Sequence, residues 1–271
     1  MARVARVVVG TSGWRYPPWR RTFYPEGLAQ RRELEYLSRQ VTSIEINGSF
    51  YSLQRPESYR TWAAETPDGF VFAVKGGRFV THLKQLRDVE APLANFFASG
   101  VLALGPKLGP VLWQLPPRMR YDGDRVGAFL ELLPRSTTAA AALAARHDER
   151  LDGRALTETD AERPLRHAIE ARNESFRDPA FVRQLTEHGV ALVVSDSAGT
   201  WPVFDQRTTD FDYVRLHGQG ELYVGGYTAE ALDEWAARIR SWGTDAFVYF
   251  DNDAKVRAPY DAVELLERLV V

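Results

Sequence analysis

The sequence contains no cysteine, and this absence excludes several kinds of site at once. Without thiols there can be no disulfide, no thiolate zinc centre and no cysteine nucleophile. Long apolar runs are missing too, since no stretch approaches the roughly 20 apolar residues that a membrane-spanning helix requires. The start, MARVARVVVG, is basic and then apolar, but the apolar run is too short for a signal peptide, and we predict a strand there. We therefore expect a cytoplasmic protein.

Neither sign of charge predominates in the chain. It has 34 Lys and Arg against 36 Asp and Glu, which gives a net charge of -2 at pH 7. No global basic field is available for nucleic acid or an anionic membrane, so we expect no strong duplex nucleic-acid binding and no membrane binding. Lysine is scarce, because Lys75, Lys84, Lys107 and Lys255 are the only ones. A lysine at a special position is of interest, since its compact ammonium does not replace a planar guanidinium.

Apolar runs of strand length alternate with amphipathic stretches of helical spacing. Helices are predicted at 27–40, 178–189 and 228–243, the last two bounded by Asp178-Pro179 or Thr228 at the start and by glycine at the end. Eight strand signals at this length predict an α/β fold, a (β/α)8 TIM-type barrel. An open doubly wound sheet is the alternative, although no G-x-G-x-x-G or G-x-x-x-x-G-K-[ST] motif follows any strand. The predicted strands are 6–11, 43–47, 70–75, 110–115, 167–172, 191–196, 213–218 and 246–252.

Two regions interrupt this alternation. Residues 13–27 form an aromatic, proline-rich loop after the first strand, and residues 118–164 separate the fourth strand from the fifth. We predict that 118–164 is a helical insert, with an exposed helix in the stretch STTAAAALAARHDER. There is no internal repeat and no linker composition, so we predict a single domain over residues 1–271.

Polar residues occupy the carboxyl ends of seven predicted strands, the end at which TIM barrels carry their chemistry. Side chains two positions apart in a strand share a face, so pairs such as Glu170 and Arg172 point the same way. Taken singly, each residue has a structural alternative, either a helix cap or an internal salt bridge. Because unpaired buried charges cost roughly several kcal/mol, the whole set should be mutually paired around a site. The strand-end residues are Glu45, Asn47, Lys75, Gln114, Glu170, Arg172, Asp196, Arg215, His217, Tyr249, Asp251 and Asn252.

The makeup of this set favours a small anionic or phosphorylated ligand. Cationic side chains are suited to phosphate or carboxylate, and carboxylates with shifted pKa values are suited to proton transfer. The predicted catalytic residues are Glu45, Glu170, Asp196 and His217, with Asp251 as a further candidate acid. The predicted substrate-binding residues are Lys75, His82, Gln114, Arg172, Arg215, Tyr249, Asn252, Trp14 and Tyr51. Tyr16 is a further candidate for an aromatic wall, whereas we expect Trp19 and Phe50 to pack in a lid over the barrel.

Other chemistries find less support in the sequence. Two histidines, His82 and His217, could bind a divalent metal together with nearby acids, but no H-x-H or H-E-x-x-H spacing is present and no metal site is predicted. A serine triad would need a G-x-S-x-G elbow, which is absent. The sequence identifies no cofactor.

The strand ends lie within a set of short motifs: GTSGWRYPPW (10–19), EINGSFY (45–51), TPDGFVFAVK (66–75), KLGPVLWQLPP (107–117), EARNES (170–175), YVRLHG (213–218) and YFDN (249–252). Over nearly the whole chain these motifs resemble the YecE-like family, also known as domain of unknown function 72. The resemblance implies a TIM-type barrel but no particular reaction. It also implies that the family's site includes Glu45, Lys75, His82, Gln114, Glu170, Arg172, Asp196, Arg215, His217 and Asn252. Two positions depart from the family pattern, Phe176 where tryptophan is usual and Asp251 where asparagine is usual.

Three functional hypotheses follow. The leading one is an enzyme that acts on an anionic substrate, as a phosphoester hydrolase or a related lyase. The second is glycoside chemistry, which requires two carboxyl groups about 5–5.5 Å or 6.5–9.5 Å apart across an open groove. The third is a non-catalytic barrel that binds a metabolite or a nucleic-acid end.

Overall fold

The computed structural model describes residues 5–269, and within them nine strands form one sheet in the order β6-β5-β4-β3-β2-β1-β9-β8-β7. Every strand pairing is parallel. Runs rich in Val, Ile and Phe suit such strands, because a parallel sheet is covered on both faces. The strands are β1 (Val7–Ser12), β2 (Ser43–Ile46), β3 (Val71–Lys75), β4 (Leu108–Gln114), β5 (His167–Glu170), β6 (Val190–Leu192), β7 (Val194–Asp196), β8 (Phe211–Leu216) and β9 (Asp245–Phe250).

The two ends of the sheet, β6 and β7, are successive parts of the strand predicted at 191–196. β6 pairs with β5 and β7 pairs with β8, while the Val193 amide between them donates to the Ile169 carbonyl. A sheet whose edges follow each other in the chain is a nearly closed barrel. The predicted α/β fold of the TIM type is therefore confirmed, and there are nine strands in place of eight because the hydrogen-bonding partner changes at Val193.

Helices connect the strands, and two of them begin and end where the sequence predicted. The side chains of Asp178 and Thr228 accept hydrogen bonds from the amides of Ala180 and Ala231, and Gly243 ends its helix with a φ of 65°. Within residues 5–269 no helix is long and apolar enough to cross a membrane. The helices are α1 (Glu33–Leu37), α2 (Gly48–Tyr51), α3 (Pro56–Glu65), α4 (Glu90–Ala98), α5 (Gly123–Leu132), α6 (Thr137–Ala144), α7 (Pro179–Glu187), α8 (Ala229–Trp242) and α9 (Arg257–Leu269).

Two sequence predictions about helices need correction. The stretch STTAAAALAARHDER forms α6, which is mostly buried and packs against α4, because its small alanines allow close approach. It is therefore not an exposed helix. The helix predicted over 27–40 is reduced to a 3-10 turn at Gln30–Arg32 followed by the short α1. Residues 1–4, part of the basic start, and residues 270–271 lie outside the described residues.

The barrel interior changes character along the strands. Ile44 and Ile46 pack outward into the main core, which lies between sheet and helices, as the alternation predicted. A second apolar cluster fills the part of the barrel nearer the amino ends of the strands, and we call it the apolar half: Val8, Val71, Ala73, Leu112, Ala168, Ala191, Val193, Phe211, Tyr213, Phe247 and Tyr249. The buried residues nearer the carboxyl ends are polar, and we call them the charged half: Ser12, Glu45, Lys75, Gln114, Glu170, Arg172, Ser195, Arg215, His217 and the partly buried Asp251.

Candidate functional site

Strand periodicity brings the charged half together. The inward side chains of β8 include Tyr213 and Arg215, and His217 follows directly after the strand on the same face. Each successive side chain lies closer to the mouth of the barrel. The end of β3 is shaped by close packing as well as by periodicity. A Cβ on Gly76, the residue after Lys75, would lie 2.2 Å from the Trp113 ring, so only glycine fits there.

Arg215 is the central cation of the site and is completely buried. Its Nη1 lies 2.8 Å from Glu170 Oε2, and its Nη2 lies 2.9 Å from Asp251 Oδ2. Its Nε and Nη2 donate to both oxygens of Glu45 at 3.1 and 2.9 Å, a bidentate arrangement. We call Glu45, Glu170 and Asp251 the carboxylate cluster. A single guanidinium thus holds three acids that come from three different strands.

Glu45 has both carboxylate oxygens occupied. Besides Arg215, it accepts hydrogen bonds from the Ser12 hydroxyl at 2.9 Å and the Tyr213 hydroxyl at 2.7 Å. Burial, together with the nearby Glu45 charge, raises the pKa of Tyr213 well above its usual value, so this phenol is a donor. These contacts fix Glu45 as a fully hydrogen-bonded carboxylate.

Glu170 is shared by two arginines and a histidine. Arg172 Nη2 lies 2.8 Å from Glu170 Oε1, and His217 Nε2 lies 3.2 Å from the same oxygen. Burial opposes ionisation of Glu170, but Arg172 and Arg215 outweigh it and hold its pKa well below the ordinary value. The Arg172 guanidinium also stacks over the Trp201 ring at 3.9 Å. Glu170 is therefore an ionised structural partner at neutral pH.

Asp251 completes the cluster at the mouth. Burial opposes its ionisation, but Arg215 and His217 hold its pKa below the ordinary value. The Asp251 carboxylate lies 3.1 Å from His217 Nδ1, although the two groups are not oriented for a hydrogen bond. Two residues further on, burial and the Asp251 charge raise the pKa of the Asp253 carboxyl to about 6. Asp253 is thus the acid near the mouth with the properties of a proton donor.

Lys75 differs from the two arginines. Its side chain is only 7% exposed, and its ammonium lies 4.5 Å from the centre of the Phe50 ring. Within residues 5–269 it makes no hydrogen bond and no ion pair through that ammonium. Burial and the nearby Arg215 charge lower the pKa of Lys75 to about 8. The site therefore contains a cation that has no fixed partner and exchanges its proton near neutral pH.

His82 lies on the π-helical turn Phe79–Leu83, beside Lys75 and above the edge of the same Phe50 ring. Burial and the charges of Lys75 and Arg172 lower the pKa of His82 to about 4, so its imidazole is neutral at pH 7. Its Nδ1 lies 2.9 Å from the Thr81 hydroxyl. Arg118 Nη2 donates to the His82 carbonyl at 2.9 Å, which places another guanidinium at this edge of the mouth.

Two depressions flank the mouth. On the β1 and β2 side, a pocket of about 290 Å³ is lined by Trp14, Tyr16, Asn47, Tyr51 and Trp62, among others. Trp14 stands edge-on to Trp62, whereas Tyr51 is 70% exposed. On the β5 and β7 side, an open groove of about 850 Å³ is lined by Arg120, Arg172, Arg177 and Trp201, among others. Aromatic surface thus lies on one side of the charged half and basic surface on the other.

Several predicted site residues lie elsewhere. Asp196 alternates with the inward Ser195, and its carboxylate accepts from the Tyr227 hydroxyl at 3.0 Å. Asn252 is buried against Asp261 and the Gly225 carbonyl, so it holds loops together.

Two other predicted site residues, Tyr249 and Gln114, point into the barrel but lie at different depths along its axis. Tyr249 donates to or accepts from the Ser43 hydroxyl at 2.7 Å, deep in the apolar half. Gln114 lies at the end of β4 next to Glu170, and within residues 5–269 its amide makes no hydrogen bond, so it is free to contact a ligand. Trp19 and Phe50 are both buried, as the packing expectation requires, and the Phe50 ring also contacts the Lys75 ammonium.

Sequence reasoning missed Ser12, Tyr213, Ser195, Trp201 and Asp253. The first three follow from strand periodicity, because Tyr213 precedes Arg215 by two positions and Ser195 precedes Asp196 by one. Trp201 and Asp253 lie in loops, where no period predicts side-chain direction. The departure at Phe176 has only a packing consequence, since its ring contacts Tyr121 and Phe181. Within residues 5–269 no three His, Asp or Glu side chains are grouped to hold a metal ion.

Known proteins resemble this chain over nearly its whole length or over part of it. The sequence is 23% identical to UPF0759 protein YunF of Bacillus subtilis (strain 168), covering 97% of this chain and 94% of that protein. It is 29% identical to UPF0759 protein YecE of Escherichia coli (strain K12) over a part that covers 41% of this chain and 38% of that protein. The crystal structure of a DUF72 family protein from Thermotoga maritima has the same fold, with a TM-score of 0.75 and 23% identity, covering 98% of this chain and 100% of that one. Residues 8–271 match the family described as "Protein of unknown function DUF72", and the chain belongs to that family.

Proposed function

We propose that this barrel is an enzyme that acts on a small anionic substrate at the carboxyl ends of its strands. The observation that carries the proposal is the unpaired ammonium of Lys75. Every member of the carboxylate cluster is paired with Arg215 or Arg172, and none of its oxygens forms an ion pair with the Lys75 ammonium. A buried cation that lacks a partner in the free protein is best satisfied by an anionic ligand.

The surroundings of Lys75 support the same charge preference. Arg172 faces both the carboxylate cluster and the groove, where Arg120 adds a further guanidinium and Arg177 is paired with Glu174. Arg118 adds a guanidinium beside His82. A carboxylate or phosphate bound at Lys75 would lie in the same charged half as Arg172 and Gln114, whose amide makes no hydrogen bond within residues 5–269.

Among enzyme classes, a lyase is better supported than a glycoside hydrolase. Glycosidases need one carboxylic acid that stays protonated at the scissile bond. Asp253, with its raised pKa, meets that need, but a glycosidase also needs a second carboxylate that is free to act, and arginines bind Glu45, Glu170 and Asp251. In contrast, Lys75 with a pKa of about 8 and Asp253 with a pKa of about 6 are suited to proton transfer near neutrality. Proton removal next to an anionic group is typical lyase chemistry.

The test compares anion binding by the wild type and two lysine variants. Thermal shift and calorimetry would measure affinity for inorganic phosphate and for a panel of phosphorylated and carboxylate metabolites. We expect Lys75→Met to weaken binding about tenfold or more, since a lost charge-assisted contact is worth roughly 1.5–3 kcal/mol. The matched control is Lys255→Met, because Lys255 is 70% exposed and its ammonium is 4.0 Å from Glu221. Affinity should also fall as pH rises through about 8, where Lys75 loses its charge.

Conversion of the compounds that bind would then be followed by NMR. Equal affinities in the wild type and in Lys75→Met would contradict the proposal. Binding that depends on Lys75 with no conversion of any bound compound would support the non-catalytic alternative, and the enzyme assignment would be wrong.

A further inference from the structure

The proposed function leaves the substrate class open, and the following inference, which rests on that function, supplies it. We propose that Lys75 forms a Schiff base with the carbonyl carbon of a small substrate that also carries a carboxylate or phosphate. Such a substrate has an electrophilic carbon for the amine and an anionic group for the surrounding cations. The amine thus acts as a covalent nucleophile as well as a binding charge.

The position of the amine supports covalent chemistry. The end of β3 is held firmly, because the Ser49 hydroxyl donates to the Lys75 carbonyl at 2.6 Å and the Trp113 ring fills the space beside Gly76. Phe50 supports the ammonium from below, at 4.5 Å. No acceptor within residues 5–269 takes a hydrogen bond from the amine. The three members of the carboxylate cluster act on Lys75 electrostatically, but none of them forms an ion pair with its ammonium, so the amine is not tied to a fixed partner.

The charges around Lys75 favour both the free amine and the iminium ion. Burial and Arg215 lower its pKa to about 8, so a useful fraction of the amine is neutral at physiological pH. A lysine desolvated next to another cation is a known way to make a Schiff-base nucleophile. The iminium nitrogen keeps a positive charge but needs less hydration than an ammonium ion. The negative charges that act on this position come from the carboxylate cluster, and they would stabilise that cation.

The covalent step balances with water as the only by-product. The neutral amine adds to the carbonyl carbon, and one amine proton moves to the carbonyl oxygen to give a carbinolamine. The nitrogen lone pair then expels the hydroxyl group, which takes one proton from solvent and leaves as water. The sum is one amine, one carbonyl and one proton to one iminium ion and one water. Neighbouring His82 is neutral at pH 7 and therefore adds no positive charge that would oppose the iminium ion.

The same surroundings indicate where the anionic group would lie. Arg172 stacks on Trp201 and faces the basic groove, and Arg118 borders His82. A substrate bound through its carbonyl carbon at Lys75 can therefore extend its carboxylate or phosphate toward Arg172. A 2-oxo acid and a phosphorylated ketone share this chemistry.

Reductive trapping tests the inference with defined probes. The wild type is incubated with pyruvate, dihydroxyacetone phosphate or acetone in the presence of sodium cyanoborohydride, and adducts are located by intact mass and peptide mapping. With four lysines in the chain, the site of modification is unambiguous. Lowering an amine pKa from 10.5 to about 8 raises its neutral fraction at pH 7 by roughly 300-fold, so trapping at Lys75 should exceed that at any other lysine by at least about tenfold. Acetone shares the advantage of the lowered pKa but has no anionic group, so its trapping at Lys75 should be slower than that of pyruvate or dihydroxyacetone phosphate.

Further arms separate this inference from the proposed function. Trapping should slow as pH falls below about 8, should be inhibited by inorganic phosphate, and should be lost in Lys75→Arg but kept in Lys255→Arg. Burial, the Arg215 charge and the carboxylate cluster set this pH dependence, while neighbouring His82 stays neutral over the same range. Peptide mapping of the wild type needs no variant, so misfolding of Lys75→Arg cannot hide the result.

If Lys75-dependent phosphate binding persists but no probe labels Lys75 preferentially, the Schiff base is refuted and the proposed function stands. If neither phosphate nor any carbonyl probe interacts through Lys75, both are refuted. Preferential labelling by pyruvate alone would identify a 2-oxo acid, and by dihydroxyacetone phosphate alone a phosphorylated ketone.

Discussion

The amino-terminal and carboxyl-terminal halves of the barrel interior are built from the same strands but are stabilised in different ways. Along β8, Phe211 and Tyr213 belong to the apolar half, and Arg215 follows two residues later in the charged half. The apolar half gains stability from removing hydrocarbon from water, which depends on volume and hardly on pH. The charged half depends on matched ion pairs, and removing one partner exposes the desolvation cost of the others. The apolar half stabilises the fold, whereas the charged half, although it is buried as well, holds the candidate site.

The largest expected effect comes from removing the central cation. In Arg215→Met the carboxylate cluster is left buried without its shared partner. Loss of one member of a buried ion pair costs about 3–5 kcal/mol, so the free energy of unfolding measured in urea should fall by at least that amount. The control is Arg238→Met at the exposed pair with Asp205, which should cost about 0–1 kcal/mol. Similar losses in the two variants would show that the charged half adds no more than a surface pair does.

A somewhat smaller loss is expected in the apolar half. Leu112 is completely buried inside the barrel, and Leu112→Ala should cost about 2–5 kcal/mol through lost contacts and a cavity. The loss should be the same at pH 5 and pH 8, and phosphate binding should be unchanged. The matched control is Leu83→Ala, since Leu83 is 58% exposed. A loss of unfolding free energy that depends strongly on pH would mean that the apolar half and the charged half are energetically coupled.

The smallest predicted effect is a pH-dependent difference in stability between the wild type and a variant at Glu170. Glu170 has a folded pKa below its unfolded value of about 4.3, so its ion pairs contribute fully above that pH and are lost as pH falls through the folded pKa. Glu170→Gln should therefore be less stable than the wild type at pH 6, by on the order of 1–3 kcal/mol, and the gap should narrow below about pH 4. Urea unfolding at several pH values measures it. A gap that stays constant down to pH 3 would indicate that the loss comes from packing and not from charge.

Much of the fold could be predicted because its signals are local. Strands such as Val71–Lys75 have apolar runs of the right length, and the caps at Asp178 and Thr228 act within three residues. The split of the sixth strand was not predictable, since the change of partner at Val193 depends on how two neighbouring strands tilt. Likewise, the sequence wrongly predicted that α6 is exposed, because its run of alanines has no apolar period that indicates which face is covered by another element.

The candidate site divides in the same way. Within strands, a period of two correctly placed Glu45, Glu170 and Arg215 on the inner face. Just past the strand ends the period still placed Arg172, His217 and Asp251 correctly. It did not support Asn252, which the family resemblance favoured and which contacts Asp261.

The sequence by itself determined which residues line the barrel, because alternation is a property of one extended backbone segment. Only the tertiary structure decided which charges pair. Arg215 reaches acids on β2, β5 and the end of β9, and this selection depends on register and tilt across strands that are far apart in the chain. That same geometry left Lys75 as the buried cation whose ammonium has no hydrogen bond or ion pair within residues 5–269. An unpaired ammonium is defined by its neighbours, and those neighbours come together only when the barrel closes.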